Sequence, residues 1–304
     1  MLRRLIKAPL YSLGLGLAPS LMFAIQHYSV HRRLGKHAYW ANVRNPRTFN
    51  EYMLRSKLDK EHLGLENLVD KYEVKSWVRD KIGEMYVIPS LGIFDSAIEL
   101  IESLEIFPCI IKPTHLSGRI LFLKKQAVLK SEAVRLQSKL DSWLRSNFYY
   151  ECGEIQYKAI SPRLLVEPDL SSANDCLSDY KFFCFGGAPT FIQLDSGRHG
   201  AHQRFFLNLG WERLPFSKGD FRKVPSLEIQ PPPPPKRLGE MIEIAGVLST
   251  GHRFVRVDLY EANGAVKFGE MTFHPGSGTS PFSSFDADLA VGSLLRRVAG
   301  RADG

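Results

Sequence analysis

Residues 254–278 read FVRVDLYEANGAVKFGEMTFHPGSG, and this stretch decides the fold of the C-terminal part of the chain. Two runs rich in β-branched and aromatic residues, 254–260 and 265–273, flank the dipeptide Asn263-Gly264. Asn-Gly between two such runs is a strong signal for a β-hairpin, because both residues accept the positive φ angles of a tight turn. We therefore expect two antiparallel strands here.

Two carboxylates in this hairpin are candidate metal ligands. Asp258 lies in an otherwise apolar strand and Glu270 in the return strand, and carboxylate oxygens suit Mg²⁺, which in turn often binds phosphate. A two-residue turn alone would put the two side chains on opposite faces of the sheet, whereas one bulge would place Asp258 directly opposite Glu270. Arg256 would then share their face. The alternative is ordinary surface charge.

Other residues are candidates for holding a phosphate. The sequence TFHPGSG at 272–278 has small residues that leave backbone N–H groups accessible to an anion. Lys112 ends a buried-looking strand, where a lysine needs a partner such as phosphate, and segment 114–119 could fold over that phosphate. Lys181 is a second cation in an apolar strand, where a purely structural ion pair is an equal alternative.

Helices and strands alternate along the rest of the chain. Apolar residues at three-to-four spacing predict helices, and short apolar runs bounded by turn residues predict strands. The predicted helices lie within 48–85 (with Thr48 as a cap), 129–147, 236–249 and 286–298, and the further predicted strands are 106–112, 119–124, 162–167, 179–185, 190–196 and 203–211. The proline run 231–235 must be a surface loop or spacer. This order predicts an α+β protein of two subdomains, with a seam near 170–178.

Composition excludes several classes of protein. With 304 residues, 44% of them hydrophobic and 24% charged, the chain is neither disordered, nor collagen-like, nor a multi-span membrane protein. The four cysteines contain no CxxC pair, which argues against a zinc knuckle or a disulfide scaffold and favours a reducing compartment. They are Cys109, Cys152, Cys176 and Cys184.

The net charge of +8 belongs to an N-terminal arm, because residues 1–50 hold eight Lys or Arg and no Asp or Glu. Within the arm, the uncharged segment 8–25 lies between basic groups. It has no convincing signal-peptide cleavage site, and its Gly and Pro residues argue against a spanning helix. An anionic membrane surface contacted by residues 1–36 is the favoured interpretation, and an ordinary packed helix is the alternative. Nucleic acid is not expected as a partner, since no recognition module accompanies these cations.

Several blocks of sequence together resemble one known family. They are NPRTFNE (45–51), DKY (70–72), IKP (111–113), DYKFFCF (179–185), RVD (256–258) and GEMTFHPGSG (269–278). In order and spacing they are similar to the TupA-like ATP-grasp proteins, which are associated with bacterial teichuronopeptide, capsule and exopolysaccharide synthesis. The resemblance covers about residues 45–285. It implies an ATP-grasp fold, in which two α+β subdomains clamp ATP.

The resemblance also implies roles for individual residues. Lys112 would contact the ATP phosphates, and Glu167 would begin the hinge beside the adenine. The lid loop would contain His115, Ser117 and Gly118. Asp258 and Glu270 would bind Mg²⁺, Arg256 would steady the transferred phosphate, and Lys181 would face the nucleotide or substrate. The lid loop of this chain, His115 to Arg119, has fewer glycines than is usual in the family, and Pro168 follows Glu167 in the hinge.

The function implied is ATP-dependent carboxylate–amine ligation on a surface polysaccharide or its precursor. The substrate would be a uronic acid, an amino sugar or an amino acid, and the protein would be cytoplasmic, at the inner face of the membrane. Alternatives are a phospho- or glycosyltransferase and a degenerate binding or scaffold protein. The expected organisation is an arm (1–44), a helical lead-in (45–105), a lid subdomain (106–174) and a large subdomain with the metal site (175–304).

Overall fold

Helices and antiparallel strands alternate along the chain, and the predicted α+β class is confirmed. The computed structural model describes residues 18–34, 37–125, 131–171, 177–196, 203–219, 224 and 229–302. The helices are α1 (Pro19–Leu34), α2 (Phe49–Leu58), α3 (Glu66–Val69), α4 (Val74–Ile82), α5 (Ala97–Ser103), α6 (Ala133–Leu144), α7 (Phe148–Cys152), α8 (Leu238–Ser249) and α9 (Phe285–Ala302). The strands are β1 (Gly92–Phe94), β2 (Cys109–Pro113), β3 (Leu121–Leu123), β4 (Leu164–Pro168), β5 (Asp179–Phe185), β6 (Ala188–Ser196), β7 (Gln203–Asn208), β8 (Phe254–Ala262) and β9 (Ala265–Thr272).

The chain divides into two units. The larger unit consists of residues 1–62 and 172–304, and the smaller unit of residues 63–171. The division after residue 171 lies at the predicted seam. The predicted helical lead-in is not one region, because its first part, up to residue 62, belongs to the larger unit. The physical reason is that Phe49 of α2 packs into the aromatic core of that unit.

The larger unit contains an antiparallel sheet in the order β7-β6-β5-β8-β9. Helix α8 packs on one face, where the Cys184 thiol lies 3.8 Å from the carbonyl oxygen of Ala245. Aromatic residues of β5, β6 and β8 pack against α2 and α9 in one buried cluster; it includes Phe49, Phe183, Phe191, Phe254 and Phe282. Since side chains two residues apart share a face, Lys181 continues the face of Phe183. The polar site described below occupies this continuation.

The smaller unit contains an antiparallel sheet in the order β1-β4-β2-β3. Its core includes fully buried Leu100 of α5, Ile111 of β2 and Leu140 of α6. The sequence did not predict β1, α5 or α7, which are too short for their periodicity to stand out. Among the described residues, the cysteines at 109, 152 and 184 form no disulfide bond. Cys176 lies outside the described residues.

Part of the N-terminal arm is a packed helix. Met22, Phe23 and Ala24 of α1 are buried, and Phe23 contacts a cluster that includes Leu54 of α2. The inner face of α1 is therefore part of the fold, as the packed-helix alternative proposed. Residues 1–17, which carry the rest of the uncharged segment, lie outside the described residues. Among those described, no helix has both the length and the apolar character needed to cross a membrane.

The N-terminus of α2 is stabilised by Thr48, the predicted cap. Its hydroxyl accepts from the Glu51 amide at 3.2 Å, and the Glu51 carboxylate accepts from the Thr48 amide at 3.0 Å, which completes a capping box.

We expect Thr48→Ala to lower the free energy of unfolding by about 1–2 kcal/mol, because it leaves the Glu51 amide without its acceptor. Chemical denaturation would measure this. Ser96 is the matched control, since it occupies the N-cap position of α5 without a side-chain capping bond. An equal loss for Ser96→Ala would contradict the capping role of Thr48.

Candidate functional site

Asp258 and Glu270 lie directly opposite each other on β8 and β9. The register shifts by one residue after Asp258, so Gly269 is the extra residue of a β-bulge. This shift offsets the two-residue turn, so both carboxylates lie on one face of the sheet, which is the bulged arrangement of the two that the sequence left open. A Cβ at position 269 would lie only 2.7 Å from the Tyr260 ring and 3.0 Å from the Asp258 carbonyl oxygen. The bulge that aligns the two carboxylates therefore requires glycine.

Arg256 joins the two carboxylates. Its Nε donates to Asp258 Oδ1 at 2.6 Å, and its Nη2 donates to Asp258 Oδ2 at 2.7 Å. The same Nη2 lies 3.1 Å from Glu270 Oε1 and 3.0 Å from Thr272 Oγ1. Burial alone would lower the pKa of Arg256, but the adjacent Asp258 carboxylate raises that pKa above its ordinary value. The guanidinium is therefore permanently charged at the centre of a set of oxygen ligands.

Lys181 contacts the same carboxylate from the neighbouring strand. It pairs with Asp258 in the β5–β8 register, and its Nζ lies 2.7 Å from Asp258 Oδ2 and 3.2 Å from Asp179 Oδ2. Farther along the sheet, Arg204 donates to Asp195 Oδ1 at 2.5 Å and Oδ2 at 3.0 Å. Burial would raise the pKa of Asp195, but the Arg204 hydrogen bonds hold it below its ordinary value. One face of the sheet thus holds a network of ion-paired side chains, several of which are buried.

The oxygen atoms of this face fit a divalent cation in part. Asp258, Glu270 and Thr272 offer hard oxygen donors of the kind that Mg²⁺ prefers. Asp258 is buried, whereas the Glu270 side chain is 33% exposed, so Glu270 is the solvent-facing donor. No group of three or more His, Cys, Asp or Glu that could hold a metal occurs among the described residues. A bound Mg²⁺ would therefore need water or phosphate oxygens to complete its shell, as this ion commonly does.

The loop after β9 is braced from within its own unit. Gly276, Ser277 and Gly278 have φ angles of 61°, 56° and 68°, and Lys57 Nζ donates to the carbonyl oxygen and the hydroxyl of Ser277, both at 2.6 Å. A Cβ at position 276 would lie 1.9 Å from the Ser280 hydroxyl. The predicted binding of an anion by this loop stays a prediction.

In the smaller unit, Glu167 lies between two lysines. Its carboxylate oxygens lie 2.6 Å from Lys112 Nζ and 2.6 Å from Lys75 Nζ. Burial would raise the pKa of Glu167, but the two ammonium groups lower it below its ordinary value. Lys112 and Glu167, predicted to contact different parts of ATP, are thus brought together as an ion pair. Their binding of a nucleotide stays a prediction.

Lys75 is a residue that sequence reasoning missed. Its Nζ also donates to the Ile88 carbonyl oxygen at 2.7 Å and to the Ser90 hydroxyl at 2.9 Å. The signal was present in α4, where Lys75 lies between Val74 and Val78 on the apolar face predicted for this helix. A lysine on a buried face needs a compensating charge, and that requirement identifies it as a candidate site residue.

The predicted lid residues differ in their placement. His115 is 1% exposed, its Nε2 lies 3.1 Å from the Trp143 carbonyl oxygen, and burial lowers its pKa. His115 is therefore packed inside its own unit, and its contact with a nucleotide stays a prediction. Gly118, with a φ of +69°, has open space where a Cβ would lie. Ser117 is half-buried. Phosphate binding by Ser117 and Gly118 stays a prediction.

Comparison with known proteins identifies one family. The sequence profile of the family described as TupA-like ATPgrasp matches residues 51–296. This match includes all of the candidate residues described above. No curated protein matches the chain.

Solved structures of ATP-grasp and amino-acid ligases are similar at low identity. The L-amino acid ligase from Bacillus licheniformis is 15% identical, with a TM-score of 0.42 over 70% of this chain and 45% of that one. D-alanine-D-alanine ligase from Helicobacter pylori is 15% identical, with a TM-score of 0.42 over 75% and 60%. The ATP-grasp ligase PsnB complexed with minimal precursor is 12% identical, with a TM-score of 0.40 over 83% and 68%. The chain therefore spans 45% to 68% of the length of these structures.

Proposed function

Because the chain belongs to the TupA-like ATP-grasp family, we propose that it is an ATP-dependent carboxylate–amine ligase acting on a surface polysaccharide or its precursor. The observation that carries this proposal is the alignment of Asp258 with Glu270 across the bulged hairpin, with Arg256 between them. Two carboxylates and one fixed guanidinium are suited to a metal-bound phosphate.

The reaction would proceed in two steps. A carboxylate oxygen of the substrate attacks the γ-phosphorus of ATP, the bond from that phosphorus to the β-γ bridging oxygen breaks, and ADP leaves. The nitrogen of an amine then attacks the acyl carbon of the acyl phosphate, inorganic phosphate leaves, and the amine loses a proton as the amide forms. Mg²⁺, when bound, neutralises negative charge on the phosphate oxygens.

The residues of each unit have separate roles in this proposal. In the larger unit, Asp258 and Glu270 hold the metal, and Arg256 stabilises negative charge on the transferred phosphoryl group. Lys181 holds the Asp258 carboxylate in position through its 2.7 Å contact. In the smaller unit, Lys112 binds ATP phosphate after exchanging its contact with Glu167 for one with the nucleotide.

The proposed substrate is a uronic acid or amino sugar of a glycan, or an amino acid joined to one. This substrate class is supported by the family's association with capsule and exopolysaccharide synthesis. A lipid-linked glycan precursor would be modified in the cytoplasm, at the inner face of the membrane.

Glu270→Gln tests the nucleotide site. Calorimetry of the wild-type protein should show ATP binding that requires Mg²⁺ and disappears with a chelator. We expect Glu270→Gln to weaken this binding by about tenfold or more, because one of two charged oxygen ligands is lost. Its partly exposed side chain makes it a safer probe of binding than buried Asp258. Glu84→Gln is the control, because Glu84 is 65% exposed and pairs with Arg79 in the smaller unit.

An amide product formed from a uronic acid and an amine, with one ADP released for each amide, would support the ligase reaction. A phosphorylated or glycosylated product without an amide would instead favour a transferase. Equal ATP affinity for wild type and Glu270→Gln would contradict the assignment of the metal ligands.

A second candidate function is a binding or scaffold protein in polysaccharide assembly. One observation favours it: both oxygens of Asp258 already accept from Arg256, and Oδ2 also lies 2.7 Å from Lys181. Cations that neutralise a carboxylate compete with a metal for its oxygens. This candidate predicts that wild-type protein binds no ATP, with or without Mg²⁺, so the same calorimetry separates the two functions.

A further inference from the structure

The outer side of α1 carries an apolar stripe that the fold leaves uncovered among the described residues. Leu21, Ile25 and Tyr28 follow one another at spacings of four and three, so they share one side of the helix. Leu21 is 46% exposed, and Ile25 and Tyr28 are half-buried. The inner side of the helix is packed against the fold, with Met22 and Phe23 buried. A helix with apolar side chains on its outer side as well needs a second apolar environment.

Trp40 extends this stripe. Its ring stacks on the Tyr28 ring with centroids 4.6 Å apart and planes within 5°, yet Trp40 is 60% exposed. The half-buried Tyr28 ring therefore holds the Trp40 ring in place, while most of the Trp40 side chain stays exposed to solvent. Rigid aromatic rings with a polar edge are enriched where apolar and aqueous phases meet.

Exposed arginines follow the stripe along the same helix. Arg32 and Arg33 lie in the last turn of α1 and are exposed, and residues 1–50 contain no acidic residue. An apolar, aromatic stripe that leads into exposed arginines complements an anionic lipid surface, which attracts each Arg or Lys and takes up the apolar side chains.

We propose that Leu21, Ile25, Tyr28 and Trp40 form a docking surface for an anionic membrane, with Arg32 and Arg33 binding lipid phosphates. The helix lies flat on the membrane with its outer stripe in the headgroup region, while its inner face stays packed on α2. This inference rests on the membrane location in the proposed function and is independent of the ligase chemistry. The test below contains no nucleotide, so its failure would leave the ATP-binding result unaffected.

The protein would be mixed with vesicles of phosphatidylcholine alone or with vesicles that also contain roughly 30% phosphatidylglycerol. The phosphatidylglycerol gives the vesicle surface its negative charge. We expect sedimentation with the anionic vesicles and weak or no sedimentation with neutral ones. Leu21→Ser/Trp40→Ser should lower the affinity by about tenfold or more, and Arg32→Gln/Arg33→Gln should lower it by about tenfold. Val134→Ser and Arg135→Gln, at exposed positions of α6, should leave it unchanged.

A second measurement places Trp40 in the lipid. Brominated lipids should quench part of the tryptophan fluorescence of the wild type, and this quenching should be lost in Trp40→Phe. Unchanged vesicle affinity for both double variants would overturn the proposal. So would a dimer in solution that Leu21→Ser/Trp40→Ser converts to a monomer, because a second copy of the chain would then be what covers the stripe.

Discussion

Asp258→Asn should lower the free energy of unfolding of the larger unit by about 3–5 kcal/mol, the usual cost of leaving buried charges without their partner. Asp258 is 1% exposed and accepts from both Arg256 and Lys181. An amide in its place would leave two buried cations facing an uncharged group. We also expect loss of the Mg²⁺-dependent ATP binding proposed above.

Denaturant unfolding followed by fluorescence would measure this change. Asp286→Asn is the matched control in the same unit, because Asp286 is exposed in the first turn of α9. Asp286→Asn should lower the free energy of unfolding by no more than about 1 kcal/mol, which is the contribution of a charge near a helix N-terminus. Equal losses for the two variants would show that the ion pairs of Asp258 do not stabilise the sheet.

Gly292→Ala should destabilise the larger unit by about 3 kcal/mol or more, because the added methyl group has no space. A Cβ at position 292 of α9 would lie 2.4 Å from the Arg47 carbonyl oxygen and 2.7 Å from the Phe49 amide nitrogen. These are backbone atoms at the start of α2, so they cannot move aside as a flexible side chain can. Overpacking against a rigid element costs about 1–3 kcal/mol even in adaptable cores.

Thermal unfolding would compare this variant with Gly239→Ala. Gly239 lies in α8 with open space around a Cβ, so alanine there should be neutral or stabilise by up to about 1 kcal/mol. If Gly292→Ala were as stable as Gly239→Ala, α9 would not pack so closely against the start of α2 that a methyl group is excluded.

Much of the fold follows from local signals in the chain. The Asn263-Gly264 turn, the Thr48 cap and the short apolar run in 179–185 each predict the element that the structure contains. Each of these signals depends on φ angles and hydrogen bonds within a few residues. The family also follows from sequence, because several blocks occur in the right order over most of the chain, and the family profile matches residues 51–296.

The elements that the sequence did not reveal are short or depend on distant partners. β1 has three residues and pairs with β4, about seventy positions away. The sequence places Lys75 on an apolar helix face but does not identify its partner, Glu167, which lies 2.6 Å away. The side-chain direction of His115 depends on how its loop packs beneath Trp143. Residue type alone carries no information about such long-range contacts.

By itself the sequence determined the hairpin, the α+β class, the family and the residue types available for a metal and a phosphate. Only the tertiary structure decided that Asp258 and Glu270 share a face, because a single bulge at Gly269 sets the register. It also decided that Lys181 of β5 and Arg256 of β8 both form ion pairs with the Asp258 carboxylate. The reason is that register and charge pairing are set by contacts between strands, whose free energy depends on the whole packed sheet and not on any local segment.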